Sequence, residues 1–315
     1  MKVIIVKIIS FIAIFIVLLG ILSYILMPKN NDKASGMEDV KANGILGEKE
    51  NTIDVVVIGD SEAYTAIIPM QLWEQYGFTS YVCATPAQSL SDSYMYIGKA
   101  LKTQSPKLVI LESDNIFRDM MITAPFEKAL NRILPITKYH DRWKELKPQD
   151  FTSKVEYTYT DELKGYKYTK SIREADSSRY MDGSKKKKDI PTISKLYVEA
   201  IKNYCDKNNI KLMIVSTPSV KNWDYEKHNS IVELADELGV DFLDLNEYKD
   251  VLNIDWKHDS KDGGDHLNYY GAQKATSYLG EYLYNKNILE DHRNDEKYKE
   301  WDKVVDDFNK MVEKD

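Results

Sequence analysis

The chain has 315 residues and a mass of 36.4 kDa, which suits one α/β domain with additions. Its 43% hydrophobic and 30% charged residues exclude a disordered chain, and its two cysteines exclude a disulfide scaffold or a Cys-rich metal site. The net charge of −7 argues against nucleic acid as a partner.

The chain begins with an apolar segment. Residues 8–27 are uncharged and mostly apolar, and a helix of that length rises about 30 Å, enough to span a bilayer. Lys2 and Lys7 precede the run, so the positive-inside rule places the N-terminus in the cytoplasm. The alternative is a cleaved signal peptide, but the run is longer than a typical one and has no A-x-A-like site before Pro28. We therefore expect a single-pass cell-membrane protein with an extracytoplasmic domain.

From residue 53 onwards, patterns typical of strands and helices alternate. This order predicts an α/β fold, a three-layer α/β/α sandwich with a mostly parallel sheet of about five strands. The predicted strands are residues 53–58, 80–83, 107–111, 211–215 and 240–245. The predicted helices are residues 70–76, 91–101, 193–208, 230–238, 269–284 and 298–312.

The same patterns predict a domain organisation. Residues 1–28 form a transmembrane signal-anchor, and the polar, aperiodic residues 29–52 form a linker. Residues 53–288 form the α/β domain, which an insertion at 116–190 interrupts; an insertion of that length is typical of a lid or an inserted subdomain. Residues 289–315 hold an amphipathic C-terminal helix.

A Gly-Asp-Ser block directly follows the first predicted strand. Ligands of open α/β sheets bind beyond the carboxyl ends of the strands, where Ser61 can expose its hydroxyl. Main-chain N–H groups at this turn can receive a developing oxyanion. The alternative is that Asp60 or Ser61 only caps the next helix.

A second polar block, DGGDHLN, opens the last core helix. A serine is a poor nucleophile until a histidine takes its proton and a carboxylate orients that histidine. His266 and the nearby acids Asp262 and Asp265 offer these two groups, and the intervening glycines allow a tight turn.

Together the two blocks resemble the SGNH (GDSL-type) serine hydrolase superfamily, whose members carry a GDS block after the first strand and a D-x-x-H block near the C-terminus. The resemblance covers roughly residues 53–288 and implies an SGNH hydrolase-like fold with Ser61 as nucleophile and His266 as general base. For the oxyanion hole it implies the backbone of Ser61, Ala84 in place of the family's glycine, and Asn115 as the amide donor.

The carboxylate that orients His266 departs from the family pattern. Family spacing falls on Gly263, whereas Asp262 is one residue further away and Asp265 is adjacent to the histidine. An insertion in the Gly-Gly turn still allows Asp262 to reach the ring, so we favour Asp262 and keep Asp265 as the alternative.

The chain looks most similar to the membrane-anchored, extracytoplasmic branch of this family, which includes alginate O-acetylation proteins and the teichoic-acid D-alanyl transfer protein. This resemblance implies a serine esterase or O-acyltransferase. It would act through an acyl-serine on O-acetyl or D-alanyl esters of a cell-envelope polysaccharide or teichoic-acid-like polymer, beside a membrane-bound O-acyltransferase. The missing glycine and the shifted acid favour an alternative, a non-catalytic accessory protein that binds the glycopolymer or the acyltransferase.

We expect neither a cofactor nor a metal. The sequence has no P-loop and no G-x-G-x-x-G pattern for a nucleotide. His258 and Asp259 beside Asp255 have no third well-spaced ligand. Cys83 and Cys205 are equally consistent with a bridge and with two separate thiols.

Overall fold

The computed structural model describes residues 2–118 and 124–315. The chain divides into two compact units, a smaller one of Met1–Glu38 with Met121–Tyr159 and a larger one of Asp39–Met120 with Thr160–Asp315. The strands are β1 (Val55–Gly59), β2 (Ser80–Ala84), β3 (Leu108–Glu112), β4 (Lys211–Ser216) and β5 (Asp241–Asp244). The helices are α1 (Lys2–Leu26), α2 (Val40–Asn43), α3 (Ser61–Ala66), α4 (Pro69–Tyr76), α5 (Leu90–Ala100), α6 (Ala124–Ile133), α7 (Ile136–Tyr139), α8 (Gln149–Thr152), α9 (Thr192–Lys207), α10 (Tyr225–Leu238), α11 (Lys249–Leu252), α12 (Tyr269–Lys286) and α13 (Glu300–Lys314).

The larger unit is built on a parallel sheet of five strands in the order β2-β1-β3-β4-β5. Its central strands are fully buried because helices cover both faces, which explains their continuous runs of β-branched and other apolar residues. Each strand lies within two residues of its predicted position. The predicted α/β/α fold is therefore confirmed.

The strand order places a crevice at one edge of the sheet. The chain runs from β1 to β2 on one side and then to β3 on the other side, so β1 and β3 form a topological switch point. The registers bring Gly59 beside Ala84, Ile58 beside Leu111 and Glu112 beside Val215. The carboxyl ends of β1, β2 and β3 therefore meet at the same edge.

Two groups of helices enclose this sheet. Helices α3, α4, α12 and α13 pack on one another, and α5 and α9 form a second pair. Side-chain caps define several helix starts, and Asn268 Oδ1 accepts from the backbone of Tyr270 at 3.0 Å at the start of α12. Helix α10 begins five residues before the predicted Ser230, because Asp224 caps it at Tyr225.

The C-terminal helix packs through the apolar face that its sequence predicts. Trp301, Val305 and Phe308 of α13 are buried. The rings of Trp73 and Trp301 stack at 5.7 Å, and Trp73 Nε1 donates to Asp302 Oδ1 at 3.0 Å. Helix α13 is thereby docked on α4.

Residues 29–52, the predicted linker, contain packed residues in both units. Within the smaller unit, the side chain of Asn31 bonds the backbone of Tyr159 at 2.6 and 2.9 Å. Within the larger unit, Ala42, Ile45 and Leu46 are buried. The packing was not visible in the sequence because asparagine side chains replace regular backbone pairing here, and because these few apolar residues have no period. A linker role for the segment stays a prediction.

The residues of the predicted insertion belong to both units. Residues 124–159 pack in the smaller unit with α1, whereas residues 160–190 belong to the larger unit, where Tyr166, Tyr180 and Met181 are buried. Residues 119–123 of the insertion lie outside the described residues. A lid role for the segment stays a prediction.

The two cysteines are separate thiols. Cys83 on β2 and Cys205 on α9 are both free and buried. Burial raises the pKa of Cys205 to about 12 and also raises the pKa of Cys83, so both thiols stay protonated at neutral pH. They act as small packing side chains.

Candidate active site

Ser61 lies at the crevice because β1 ends one residue before Asp60. Gly59 allows the close approach of β3, since a Cβ there would lie 2.6 Å from Glu112 Cβ. Asp60 Oδ1 accepts from the backbone N–H of Glu62 at 3.2 Å and so caps α3, which begins at Ser61. Asp60 therefore has the capping role weighed above, while Ser61 is left half-buried at the rim of the sheet.

The turn before α12 brings His266 and Asp262 together. Gly263 and Gly264 have φ values of +80° and +91°, which residues other than glycine rarely adopt. A Cβ on Gly264 would also lie 2.8 Å from Ala175 Cβ. This turn lets Asp262 Oδ1 accept from the backbone N–H of His266 at 2.8 Å, while Asp262 Oδ2 lies 2.6 Å from His266 Nδ1.

Of the two predicted acids, Asp262 faces the imidazole. Burial would raise the pKa of Asp262, but hydrogen bonds from the backbone and ring of His266 lower it overall. Asp265 Oδ1 lies 3.9 Å from His266 Nδ1 and instead accepts from Asn222 Nδ2 at 2.6 Å. The geometry thus favours Asp262 as the orienting carboxylate, with the extra glycine accommodated in the turn.

Ser61 and His266 converge on one carboxyl group, that of Glu62. Ser61 Oγ donates to Glu62 Oε2 at 3.3 Å, and His266 Nε2 lies 3.8 Å from the same oxygen. Nε2 is buried and makes no hydrogen bond within the described part of the chain. Two groups more than 200 residues apart therefore meet at one edge of the sheet, with a carboxyl group between them.

Buried acids surround this point. Asp60 Oδ2 pairs with Arg118 at 2.5 Å, and Asp114 Oδ1 pairs with Lys227 at 2.7 Å. Burial, and then the charge of Asp60, raise the pKa of Glu62 to about 8. Glu62 is therefore mostly a neutral carboxyl group at pH 7.

Glu112, at the end of β3, is a second neutral acid of this cluster. It is completely buried, and burial followed by the charge of Asp60 raises its pKa well above the usual range. Its oxygens accept from the backbone N–H of Asp114 at 2.9 Å and of Thr217 at 3.5 Å. Glu112 thereby ties the end of β3 to the loop after β4.

The predicted oxyanion donors differ in their positions. Ala84 pairs in register with Gly59 at the end of β2, one strand from Ser61. Asn115 is buried, and its Nδ2 donates to Ser93 Oγ of α5 at 3.3 Å. One N–H of the Asn115 amide is thus engaged and the other remains available, so the oxyanion roles of Ser61, Ala84 and Asn115 stay predictions.

Sequence reasoning missed two polar residues of the site, Glu62 and Asn222. Asn222 Nδ2 donates to both Glu62 Oε1 and Asp265 Oδ1, so it joins the two blocks. Acidic residues are common in the first turn of a helix because they interact favourably with the helix dipole. Glu62 therefore gave no distinct signal of a role in the site. The signal for Asn222 was its place in the polar loop that follows β4 at the carboxyl edge of the sheet.

Two groups of side chains approach the spacing of metal ligands. Atoms of Glu62, Asp265 and His266 lie within 4.8 Å of one another, as do atoms of Asp60, Glu62 and Asp114. Arg118 and Lys227 pair with Asp60 and Asp114, and Asn222 donates to Glu62 and Asp265, so each of these carboxyl groups already has a partner. A cavity of about 800 Å³ lies elsewhere, between α4, α11, α12 and α13.

Comparisons with known proteins gave matches among solved structures. A lipase/acylhydrolase from Enterococcus faecalis is 9% identical with a TM-score of 0.40, over 74% of this chain and 97% of that one. A GDSL-like lipase from Bacteroides thetaiotaomicron is 10% identical with a TM-score of 0.36, over 74% and 88%. An acetylxylan esterase from Geobacillus stearothermophilus, solved as a catalytic mutant, is 9% identical with a TM-score of 0.36, over 73% and 93%.

No family model and no curated protein matches the chain. With identities of 9–10%, the role of each residue rests on the geometry of this chain.

Proposed function

We propose that the chain is a serine esterase or O-acyltransferase in which Ser61 is the nucleophile, His266 the general base and Asp262 the orienting acid. One observation carries this proposal: Asp262 holds Nδ1 of His266 at 2.6 Å, while the buried, unbonded Nε2 and Ser61 Oγ both approach Glu62 Oε2. A base oriented by a carboxylate and presented to a serine is the arrangement that acyl transfer needs.

In the reaction, Ser61 Oγ attacks the ester carbonyl and His266 Nε2 takes the serine proton. The tetrahedral intermediate then collapses to an acyl-serine, and the protonated imidazole returns the proton to the leaving alcohol. Water or a sugar hydroxyl next attacks the acyl-serine, which makes the protein an esterase or a transferase. Because the hydroxyl of Ser61 points toward Glu62, the first step requires its rotation toward Nε2.

We further propose that α1 anchors the protein in the cell membrane with the α/β domain outside. Helix α1 is long and apolar enough to span a bilayer, a property that signal sequences share. In its last turns Ser23 and Leu26 are buried within the smaller unit, and Arg142 donates to the carbonyl of Leu26 at 2.6 Å. A helix whose end is packed and capped in this way supports a retained anchor.

The proposed substrates are O-acetyl or D-alanyl esters of a cell-envelope polysaccharide or teichoic-acid-like polymer. An extracytoplasmic enzyme tethered by one helix meets such polymers, and a membrane-bound O-acyltransferase is the proposed partner. The resemblance of the sequence blocks to the anchored branch of the GDSL-type family supports this substrate class.

The test is ester turnover by the full-length protein in detergent, with p-nitrophenyl acetate and an acetylated glycan as substrates. Ser61→Ala is expected to abolish turnover of both, because no other group replaces the nucleophile. Ser105→Ala, which changes an exposed serine, serves as the matched control. Unchanged turnover in Ser61→Ala, with the native fold preserved, would refute the proposal.

Two features favour a second candidate, a non-catalytic protein that binds the polymer or the acyltransferase. Glu62 lies between Ser61 and His266, and the amide of Asn115 is bonded to Ser93. This candidate predicts that polymer binding or acyltransferase co-purification survives Ser61→Ala in a protein without turnover. Turnover by the unmutated protein would exclude it.

A further inference from the structure

Part of the smaller unit contacts the last turns of α1. Ile136 N donates to Ser23 Oγ at 3.3 Å, and Tyr24 Oη donates to the carbonyl of Ser153 at 3.0 Å. Residues 124–153, here called the collar, include the short helices α6, α7 and α8, of which α7 and α8 contact α1 directly. Helix α1 is exposed over most of its length, and only Ser23 and Leu26 in its last turns are buried.

Residues 8–18 of α1, which precede the contacts with the collar, are too short to cross a bilayer by themselves. A helix rises 1.5 Å per residue, so residues 8–18 cover only about 16 Å of a hydrocarbon core that is about 30 Å thick. Even residues 3–18, counted past Lys7, cover about 24 Å. The remaining depth must come from residues 19–26, among which Ser23, Tyr24 and Leu26 form hydrogen bonds with the collar.

The outer surface of the collar is suited to lipid. Four large apolar side chains are 55–75% exposed on it: Phe126, Ile133, Trp143 and Phe151. Exposed tryptophan and phenylalanine near the end of a membrane helix are typical of the interfacial layer. Residues 124–153 contain six lysines and arginines and four acidic residues, whereas the whole chain has 43 basic and 50 acidic residues. This reversed balance suits anionic headgroups.

We propose that the collar lies within the interfacial layer of the membrane, with the side chains of Ile133, Trp143 and Phe151 in contact with lipid. The occupant of this apolar surface is therefore the phospholipid bilayer into which α1 inserts. The inference rests on the retained anchor of the proposed function and is independent of the chemistry at Ser61.

Spin labelling of the full-length protein in phosphatidylcholine–phosphatidylglycerol vesicles tests the proposal. Labels are placed at Phe151→Cys and Ile133→Cys in the collar, and at Leu196→Cys of α9 as a control, since Leu196 and Phe151 are 54% and 55% exposed. The unmutated protein reports any labelling of the two buried native thiols. Both collar labels are expected to be relaxed more by oxygen than by a water-soluble nickel chelate. The control label is expected to be relaxed more by the nickel chelate than by oxygen. Nickel accessibility at both collar positions equal to that of the control would overturn the proposal.

Tryptophan fluorescence gives a second readout without labels. The other four tryptophans are buried, and Trp143 alone among the five is exposed. Brominated phosphatidylcholine is expected to quench the protein, and Trp143→Phe is expected to remove most of that quenching. Equal quenching in both proteins would contradict lipid contact at Trp143. An intact mass without the first 28 residues would overturn the inference through its anchor, whatever the activity of Ser61.

Discussion

The carboxyl group of Glu62 lies between the two groups that a serine mechanism needs here. Its oxygen accepts from Ser61 Oγ at 3.3 Å and lies 3.8 Å from His266 Nε2. Asn222 fixes the other oxygen of Glu62, and Asp262 fixes the opposite side of the imidazole. The orientation of each reacting group therefore depends on a hydrogen bond that a single substitution can remove.

Changing Asp262 to Asn separates the two candidate acids. An amide at this position cannot orient the ring and stabilise the imidazolium, so kcat/KM for p-nitrophenyl acetate is expected to fall by about 10²–10⁴-fold. Asp265→Asn, which alters only the bond to Asn222, is the matched control and is expected to lose less than about tenfold. A larger loss in the Asp265 variant would assign the acid to Asp265.

The burial of Glu62 predicts a pH dependence of stability. Because the pKa of Glu62 is raised to about 8, the folded state holds a proton that the unfolded state releases near pH 4.5. Stability from this group therefore falls as pH rises from about 4.5 to 8. Glu62→Gln removes this loss, so the variant is expected to gain about 1 kcal/mol or more over the unmutated protein between pH 5 and pH 8.5. Urea denaturation at the two pH values measures the gain, and a difference independent of pH would contradict the buried neutral carboxyl.

At the scale of elements, the turn before α12 is the structure that makes the site. Its two glycines with positive φ place the carboxylate of Asp262 against the ring of His266, and the cap at Asn268 then starts the helix. On the other side of the crevice, Asp60 joins β1 to α3. The site is thus assembled from two junctions. One is the strand-to-helix junction between β1 and α3, and the other is the loop-to-helix junction before α12.

Gly264→Ala is expected to disrupt this turn. An added Cβ would meet Ala175 and Val220 at a φ of +91°, at an expected cost of about 2–4 kcal/mol in urea denaturation, together with lost turnover. Gly239→Ala at the end of α10 is the control, because φ is +62° there but the added Cβ meets open space. Its expected cost is about 1 kcal/mol with turnover retained. Equal effects of the two changes would show that the turn does not position His266.

At the scale of the whole molecule, the two units divide the proposed tasks. Ser61, Asp262 and His266 all belong to the larger unit, whereas α1 and the collar belong to the smaller one. The proposed membrane anchor and the proposed catalytic residues therefore belong to separate parts of the chain.

The retained anchor predicts the behaviour of the intact protein in cells. The full chain is expected in the membrane fraction, resistant to alkaline carbonate, with a mass close to 36.4 kDa. Release of a soluble form that lacks the first 28 residues would instead identify a signal peptide.

The strands and core helices were predictable because their burial is visible in local patterns. Runs such as residues 55–58 are buried on both faces and so are continuously apolar. The packing of residues 42–46 was not predictable, because the burial of Ile45 depends on docking against the rest of the larger unit.

The site was predictable in part. Ser61 and His266 stand in recognisable blocks, and the glycines indicated that Asp262 reaches the ring. Glu62 and Asn222 were not predictable as partners, because they lie 160 residues apart, in α3 and in the loop after β4. Their contact depends on the order of the strands.

The most direct test of the central claim is to map the covalent adduct of a fluorophosphonate by mass spectrometry of the full-length protein. The probe requires a serine that a neighbouring base activates, which is the property proposed for Ser61 and His266. We predict a single adduct on the peptide that contains Ser61, formed at a rate that Asp262→Asn strongly reduces. The absence of an adduct, or an adduct on another serine, would contradict the account.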